Sequence, residues 1–225
     1  MRTILATALL AALALPAPAQ ELAGWNPGVM SGGFLASRLL QREVFGTGGE
    51  EIGEIDNLVL GPGGEVRAIV VESGGIGPLG DVEFRVPWRQ VDFAPGFESA
   101  RVPVADERIE DFDLGDGFRL EPGEWLARDV IGDPVNLVGQ DAFGEVEDLV
   151  LGRDGRLVAI LIEGGGLGAE ALYAVPPALG SFDPGHYAVN LPYTPLELGT
   201  LNPFQEEALL PPEDPFADNP GGPNR

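Results

Sequence analysis

Gly75-Ile76-Gly77-Pro78-Leu79-Gly80 has the spacing of a dinucleotide-binding fingerprint, and Gly166-Leu167-Gly168-Ala169-Glu170-Ala171 has its alanine variant. Such a motif holds a pyrophosphate only where it opens a helix whose first N–H groups face the phosphates. Here Pro87 and Pro176 close the next apolar run within a few residues, leaving no room for a crossover helix. Both stretches therefore read as glycine-rich loops between strands, and neither has the Gly-Lys-Ser/Thr ending of a P-loop.

Asp111, Asp113 and Asp116 have the outline of a calcium loop. Its fifth position is Gly115, its sixth is Asp116 where the turn needs glycine, and its twelfth is Pro122 where a bidentate glutamate belongs. The EF-hand reading fails, which leaves a loose Ca²⁺ contact as the only metal chemistry for these three aspartates. Glu54 with Glu72, and Glu145 with Glu163, could face each other across adjacent strands, where paired carboxylates do acid–base work or bind a hard cation. Both pairs occupy matching places in a repeat described below, so a shared fold with solvated strand carboxylates explains them first. His186 is the sole histidine and cysteine is absent, which excludes a histidine triad, a multi-histidine metal site and thiol chemistry. No Gly-x-Ser-x-Gly elbow occurs. The expectation is a protein with no catalytic residue and no cofactor.

Charge and targeting narrow the class further. With 36 acidic and 13 basic residues the formal net charge is −23, which repels phosphate backbones and anionic lipid and argues against a nucleic-acid partner. Met1 and Arg2 precede an apolar stretch, and Ala17-Pro18-Ala19 supplies small residues before Gln20. This is the pattern of a secretory signal, residues 1–19, cleaved after Ala19. The stretch is shorter than the roughly 20 residues a spanning helix needs, so the expectation is a periplasmic product without stable membrane insertion. Without cysteines its stability must come from packing.

The elements that carry these residues are written twice. Residues 34–77 lie on residues 125–168 without a gap, at a constant offset of 91. Gly53-Glu54 meets Gly144-Glu145, Leu58-Val59-Leu60-Gly61 meets Leu149-Val150-Leu151-Gly152, and Ala68-Ile69 meets Ala159-Ile160. After a two-residue deletion the register resumes, with Val86-Pro87 on Val175-Pro176 and Val102-Pro103 on Leu191-Pro192. A period of this length suits a duplicated small domain rather than a solenoid unit. The expected organisation is an N-terminal linker at 20–33, a first copy at 34–109, an acidic linker at 110–124, a second copy at 125–198, and a flexible Pro-rich acidic tail at 199–225.

Within each copy, runs of Val, Ile and Leu are cut by Gly and Pro, as in strands and turns. Gly61-Pro62-Gly63-Gly64 and Gly152-Arg153-Asp154-Gly155 read as hairpin loops. They predict antiparallel pairing of residues 52–60 with 66–72, and of 143–151 with 157–163. Weaker strands are expected at 82–86, 100–104, 172–175 and 187–191, with at most a turn or two of helix at 34–42. Ala68-Ile69-Val70-Val71 and residues 157–162 are apolar on both faces, whereas a half-exposed strand alternates. Both faces should be buried, the outer one under the other copy or a neighbouring loop. In the tail, Phe204 and Phe216 each follow a proline in acidic surroundings and are the candidate anchors for a partner, although Phe204 equally suits folding back on the second copy.

The order of landmarks resembles the PRC-barrel family, known from the soluble domain of the photosynthetic reaction-centre H subunit and the C-terminal domain of a ribosome maturation factor. In the first copy these are Ala36-Ser37-Arg38-Leu39-Leu40, residues 52–60, Gly64-Glu65-Val66, Gly74-Gly75-Ile76-Gly77 and Val86-Pro87-Trp88. In the second they are residues 127–131, residues 143–151, Gly155-Arg156-Leu157 and Val175-Pro176. Pro177 departs from the aromatic that the family pattern usually has and that the first copy supplies as Trp88. The resemblance implies a compact β-barrel that binds other proteins or assembles complexes, and it carries over no catalytic residue. The reading is thus a mainly β protein of two tandem PRC-barrel-like barrels packed together, exported and non-catalytic, with a protein partner and scope for oligomers. Its alternative is an acidic periplasmic protein that binds divalent cations weakly, and an enzyme of unknown type is more remote.

Overall fold

The structure is a computed structural model that describes residues 22, 24–74, 82–104, 119–165, 171–177 and 188–210. It is mainly β, in two sheets. The strands in chain order are β1 (Phe34–Leu35), β2 (Glu43–Phe45), β3 (Glu51–Leu60), β4 (Val66–Ser73), β5 (Val82–Pro87), β6 (Asp92–Phe93), β7 (Ala100–Arg101), β8 (Trp125–Leu126), β9 (Pro134–Leu137), β10 (Gln140–Leu151), β11 (Leu157–Gly164), β12 (Ala171–Val175) and β13 (Val189–Asn190). Among the described residues helix occurs in short pieces, including α1 (Ala127–Val130), α2 (Pro195–Leu198) and 3₁₀ turns at Pro27–Met30, Ala36–Arg38 and Glu206–Leu209. No described helix is long and apolar enough to cross a membrane.

Two tight turns set the register. In the first, the Gly61 N–H donates to the Glu65 carbonyl at 2.8 Å; in the second, the Gly152 N–H donates to the Arg156 carbonyl at 2.7 Å. Gly64 (φ 74°) and Gly155 (φ 76°) take the left-handed conformation that closes each turn. The antiparallel pairs β3–β4 and β10–β11 follow, as the loops predict. The first sheet runs β5-β4-β3-β2-β7-β6 and the second β12-β11-β10-β9-β13. In both, a parallel pairing (β2 with β7, β9 with β13) closes the far side.

Each sheet then borrows a strand from the other half of the chain. β1 pairs with the end of β10, Phe34 opposite Leu151 and Leu35 opposite Val150. β8 pairs with the end of β3, Leu126 opposite Val59 and Trp125 opposite Leu60. Every residue in one pairing has its counterpart 91 positions away in the other, so the exchange is reciprocal. At the crossing, the Val66 N–H donates to the Gly155 carbonyl (2.7 Å) and the Leu157 N–H to the Gly64 carbonyl (2.8 Å), flanking a bridge between Glu65 and Arg156.

The inward faces form one continuous core that includes Ile55, Leu58, Leu60, Ile69 and Val71 with Val146, Leu149, Leu151, Ile160 and Ile162. Outer faces are buried too, which is why these strands are apolar throughout. Val150, Ala159 and Leu161 pack under Met30, Phe204 and Leu209, while Val59, Ala68 and Val70 are fully buried in a cluster joined by Leu126. Residues 199–210 therefore correct the expectation of a flexible tail beginning at 199. The Phe204 N–H donates to the Leu172 carbonyl at 2.7 Å, the Gly32 N–H donates to the Leu209 carbonyl at 2.9 Å, and Thr194 forms a capping box with Glu197 at the start of α2. The apolar residues Leu201, Phe204 and Leu209 dock this stretch before the acidic, Pro-rich run begins.

Candidate functional site

Two polar residues interrupt the apolar ends of β3 and β10 at equivalent positions, Asn57 and Asp148, and both are buried. Asn57 Oδ1 accepts the Arg128 N–H at 3.1 Å, and Asp148 Oδ1 accepts the Ser37 N–H at 3.2 Å while its Oδ2 accepts the Ser37 hydroxyl. Arg128 and Ser37 are themselves equivalent, each in the helical turn that follows an exchanged strand. These side chains receive N–H groups that a helix start leaves unpaired, and so fasten each borrowed strand to its host sheet. Burial pushes the Asp148 carboxyl above the ordinary range, against the opposing pull of the Ser37 hydroxyl and the Leu149 N–H.

A second polar knot ties residues 121–124 to the first sheet. Glu124 is buried, and its two oxygens accept from Arg85 Nη1 and Nη2, each at 2.7 Å, with Arg67 Nη1 at 3.3 Å and the Glu121 N–H at 2.9 Å. Burial alone would raise Glu124, but the bidentate Arg85 pair and the Glu121 N–H outweigh it and hold the carboxyl below its usual range. Sequence reading missed this cluster, since only the folding of β4 and β5 beside residues 121–124 brings Arg67 and Arg85 to one carboxylate. For Asn57 and Asp148 a signal existed: a polar residue at the same place in both apolar runs.

The paired glutamates face each other at equivalent registers of the two sheets, Glu54 opposite Glu72 and Glu145 opposite Glu163. Both long strands also carry a bulge, at Asp56 and at Glu147, and a bulge re-aims its side chain. In the second sheet the result is convergence: carboxylate oxygens of Glu145, Glu147 and Glu163 lie within 4.8 Å of one another on the exposed surface. In the first sheet Asp56 faces Arg128 Nη1 at 3.7 Å instead.

Phe204 is 8% exposed, packed with Met30, Ala159 and Leu161, which is the folded-back placement that the sequence offered equally with a partner anchor. Asp111, Asp113, Asp116, His186 and Phe216 lie outside the described residues, as do the segment 1–19 and most of both glycine-rich loops. Trp88, the aromatic of the family pattern, reaches the other half: a Cβ added at Gly155 would lie 2.6 Å from its Nε1. A groove lined by Phe34, Phe93, Phe97, Arg38, Arg153 and Leu209, among others, lies where the first half meets the Gly32–Gly33 segment.

This geometry defines a small mainly β scaffold closed by exchanged strands, with its buried ionisable groups at the junctions. Residues 31–97, spanning β1 to β6, match the family model described as the PRC-barrel domain. No curated protein matches the chain.

Proposed function

We propose that the chain is an exported, non-catalytic protein-interaction or scaffold module, built from the PRC-barrel domain at 31–97 and a second, duplicated copy at 125–198 interlocked with it. The offset of 91 and the equivalence of every exchanged pair support the duplication. Export to a periplasm is supported by the composition of residues 1–19, and a protein partner by what the PRC-barrel resemblance implies.

The observation that carries the non-catalytic reading is where unusual ionisation falls. Among the described residues, the carboxylates moved from their ordinary range include Glu124, Asp148, Glu65, Glu197 and Asp133. The first four hold, respectively, the arginines of the first sheet, the Ser37 turn, Arg67, and the cap of α2, while Asp133 is raised by burial and by the nearby Asp129. Enzymes concentrate such groups where substrate can reach them; here four of these five are consumed in fastening strands and turns. The test is crosslinking in intact cells followed by capture of the tagged mature protein, comparing the full chain with one ending at Leu210. One partner recovered stoichiometrically with both forms places recognition on the sheets, and one lost on truncation places it in residues 211–225. Recovery of nothing above background with either form overturns the reading.

One observation favours divalent-cation binding as a second reading, namely the convergence of Glu145, Glu147 and Glu163. A ligand that prefers the native state raises the melting temperature, so this reading expects a Ca²⁺-dependent rise that Glu163→Gln abolishes. No rise in the wild-type protein would remove it.

A further inference from the structure

The groove of about 460 Å³ beside the last described residues has the opposite charge to the protein as a whole. Its lining is aromatic, with Phe34 and Phe97 at 4.1 Å between ring centroids and Phe93 meeting Phe97 edge-on at 5.4 Å. Phe97 takes a left-handed backbone (φ 59°) directly after left-handed Gly96 (φ 73°), a conformation a bulky residue adopts only where its surroundings impose it. Arg38 and Arg153 are the charged residues of the lining among the described residues, Arg38 being paired with Glu206 at its edge, in a chain with 36 acidic and 13 basic residues. Both arginines are held in place. Arg153 Nε donates to the Gly32 carbonyl at 3.1 Å, and Arg38 Nη2 donates to Glu206 at 3.1 Å.

Leu209 also lines this groove, and the Leu210 carbonyl accepts the Ser31 hydroxyl at 2.9 Å, so the chain continues from the groove's own wall. The next residues are Pro211-Pro212-Glu213-Asp214-Pro215-Phe216. The geometry points to a peptide-binding groove whose occupant is this segment of the same chain, Glu213 and Asp214 meeting Arg38 and Arg153 and the Phe216 ring joining Phe93 and Phe97. A proline-rich segment extends at about 3.1 Å per residue, so six residues reach roughly 19 Å. Counted from Leu210, this carries Phe216 along a groove whose lining holds both Leu209 and the Phe93–Phe97 pair. Tethering also decides for this occupant over a free acidic peptide. A protein of net charge −23 repels an acidic peptide arriving from solution, whereas a short tether supplies an effective concentration of millimolar order. The inference stands whether or not the module reading holds, because it rests on the groove and the adjoining sequence alone.

The test uses the full mature chain with Ala217→Cys carrying a nitroxide, which is unambiguous because the sequence has no cysteine. Docking predicts selective broadening of the amide signals of Gly33, Gly96 and Phe97. The double variant Arg38→Ala with Arg153→Ala should lower the docked fraction roughly fivefold, as two exposed charge pairs allow. Phe216→Ala should lower it as well. Arg38 is about half exposed, so an unchanged amide dispersion will confirm that the arginine variant still folds. No selective broadening, or a pattern that all three substitutions leave intact, overturns the proposal. Broadening seen only when labelled and isotope-enriched copies are mixed assigns the groove to a second copy's tail and overturns docking in cis.

Discussion

At the junction the first half places Asn57 where the second places Asp148, and each accepts the backbone N–H of the other half's helical turn. A carboxamide performs this without charge, whereas the carboxylate carries burial as an added cost. The bulges differ in the same sense: Asp56 meets Arg128, while Glu147 joins Glu145 and Glu163 at the surface. Geometry is thus common to the two halves and charge is not. The lesson is that the reciprocal exchange depends on a hydrogen-bond acceptor at these positions and on the backbone around it, not on ionisation.

The largest effect expected of a point change lies in that shared backbone. Gly53 and Gly144 are equivalent, and a Cβ at either would overlap a carbonyl oxygen of the neighbouring strand, that of Glu72 or Glu163. Gly144→Ala must push β10 from β11 and should cost about 3 kcal/mol or more. Gly53→Ala should cost more still, because Gly53 also has a φ of 147°. Urea denaturation of both variants orders the two halves, and a loss within 0.5 kcal/mol for either would deny that the approach is as close as described.

Next comes Phe204→Ala, with a loss of about 3 kcal/mol for a large ring removed from the second sheet's cover. A change indistinguishable from wild type would deny that Phe204 is part of this cover. Glu124→Ala strands Arg85 and takes one partner from Arg67, which keeps Glu65 at 2.9 Å, and because both arginines keep a quarter to a third of their side-chain exposure the loss should be about 2 kcal/mol, below the figure for fully buried pairs. Its pH dependence has a defined sign. A carboxyl held below its unfolded value contributes stability above that value and loses it as pH falls through the folded value. The acid limb of the wild-type curve should therefore flatten in the variant.

The smallest effect sharpens the comparison most. The raised Asp148 binds its proton more readily folded than unfolded, so the stability it contributes is full below the unfolded value and is lost as pH rises through the folded one. Asp148→Asn should make the second junction resemble the first, adding about 1 kcal/mol at neutral pH and raising Tm by roughly 2–4 °C for a chain of this size. The gain should vanish in acid. Asn57→Asp should show the reverse, and a pair of substitutions with the same sign at pH 7 would mean that the halves are not chemically interchangeable.

Much of this architecture was legible because turns and alternation are local. Gly64 and Gly155 close loops whose flanking residues dictate β3–β4 and β10–β11, and apolar residues on both faces announced buried outer surfaces. The exchange was not legible. β1 and β8 have two residues each, too few to carry a period, and their partners lie far along the chain in the opposite half. Composition misled at residues 199–210, where the prolines and acids beyond Leu210 masked the spacing of Leu201, Phe204 and Leu209. The facing of Glu145 and Glu163 followed from the repeat, but the approach of Glu147 depends on a bulge that no residue type in the run marks.

The central claim is that neither half completes its own sheet. It is tested most directly by producing residues 20–109 and 110–225 separately and measuring mass and cooperative unfolding for each alone and for the mixture. The account predicts no cooperatively folded monomer of either half, and a folded 1:1 complex when they are mixed. A half that folds cooperatively as a monomer, with β3 or β10 stable without its borrowed partner, would contradict it.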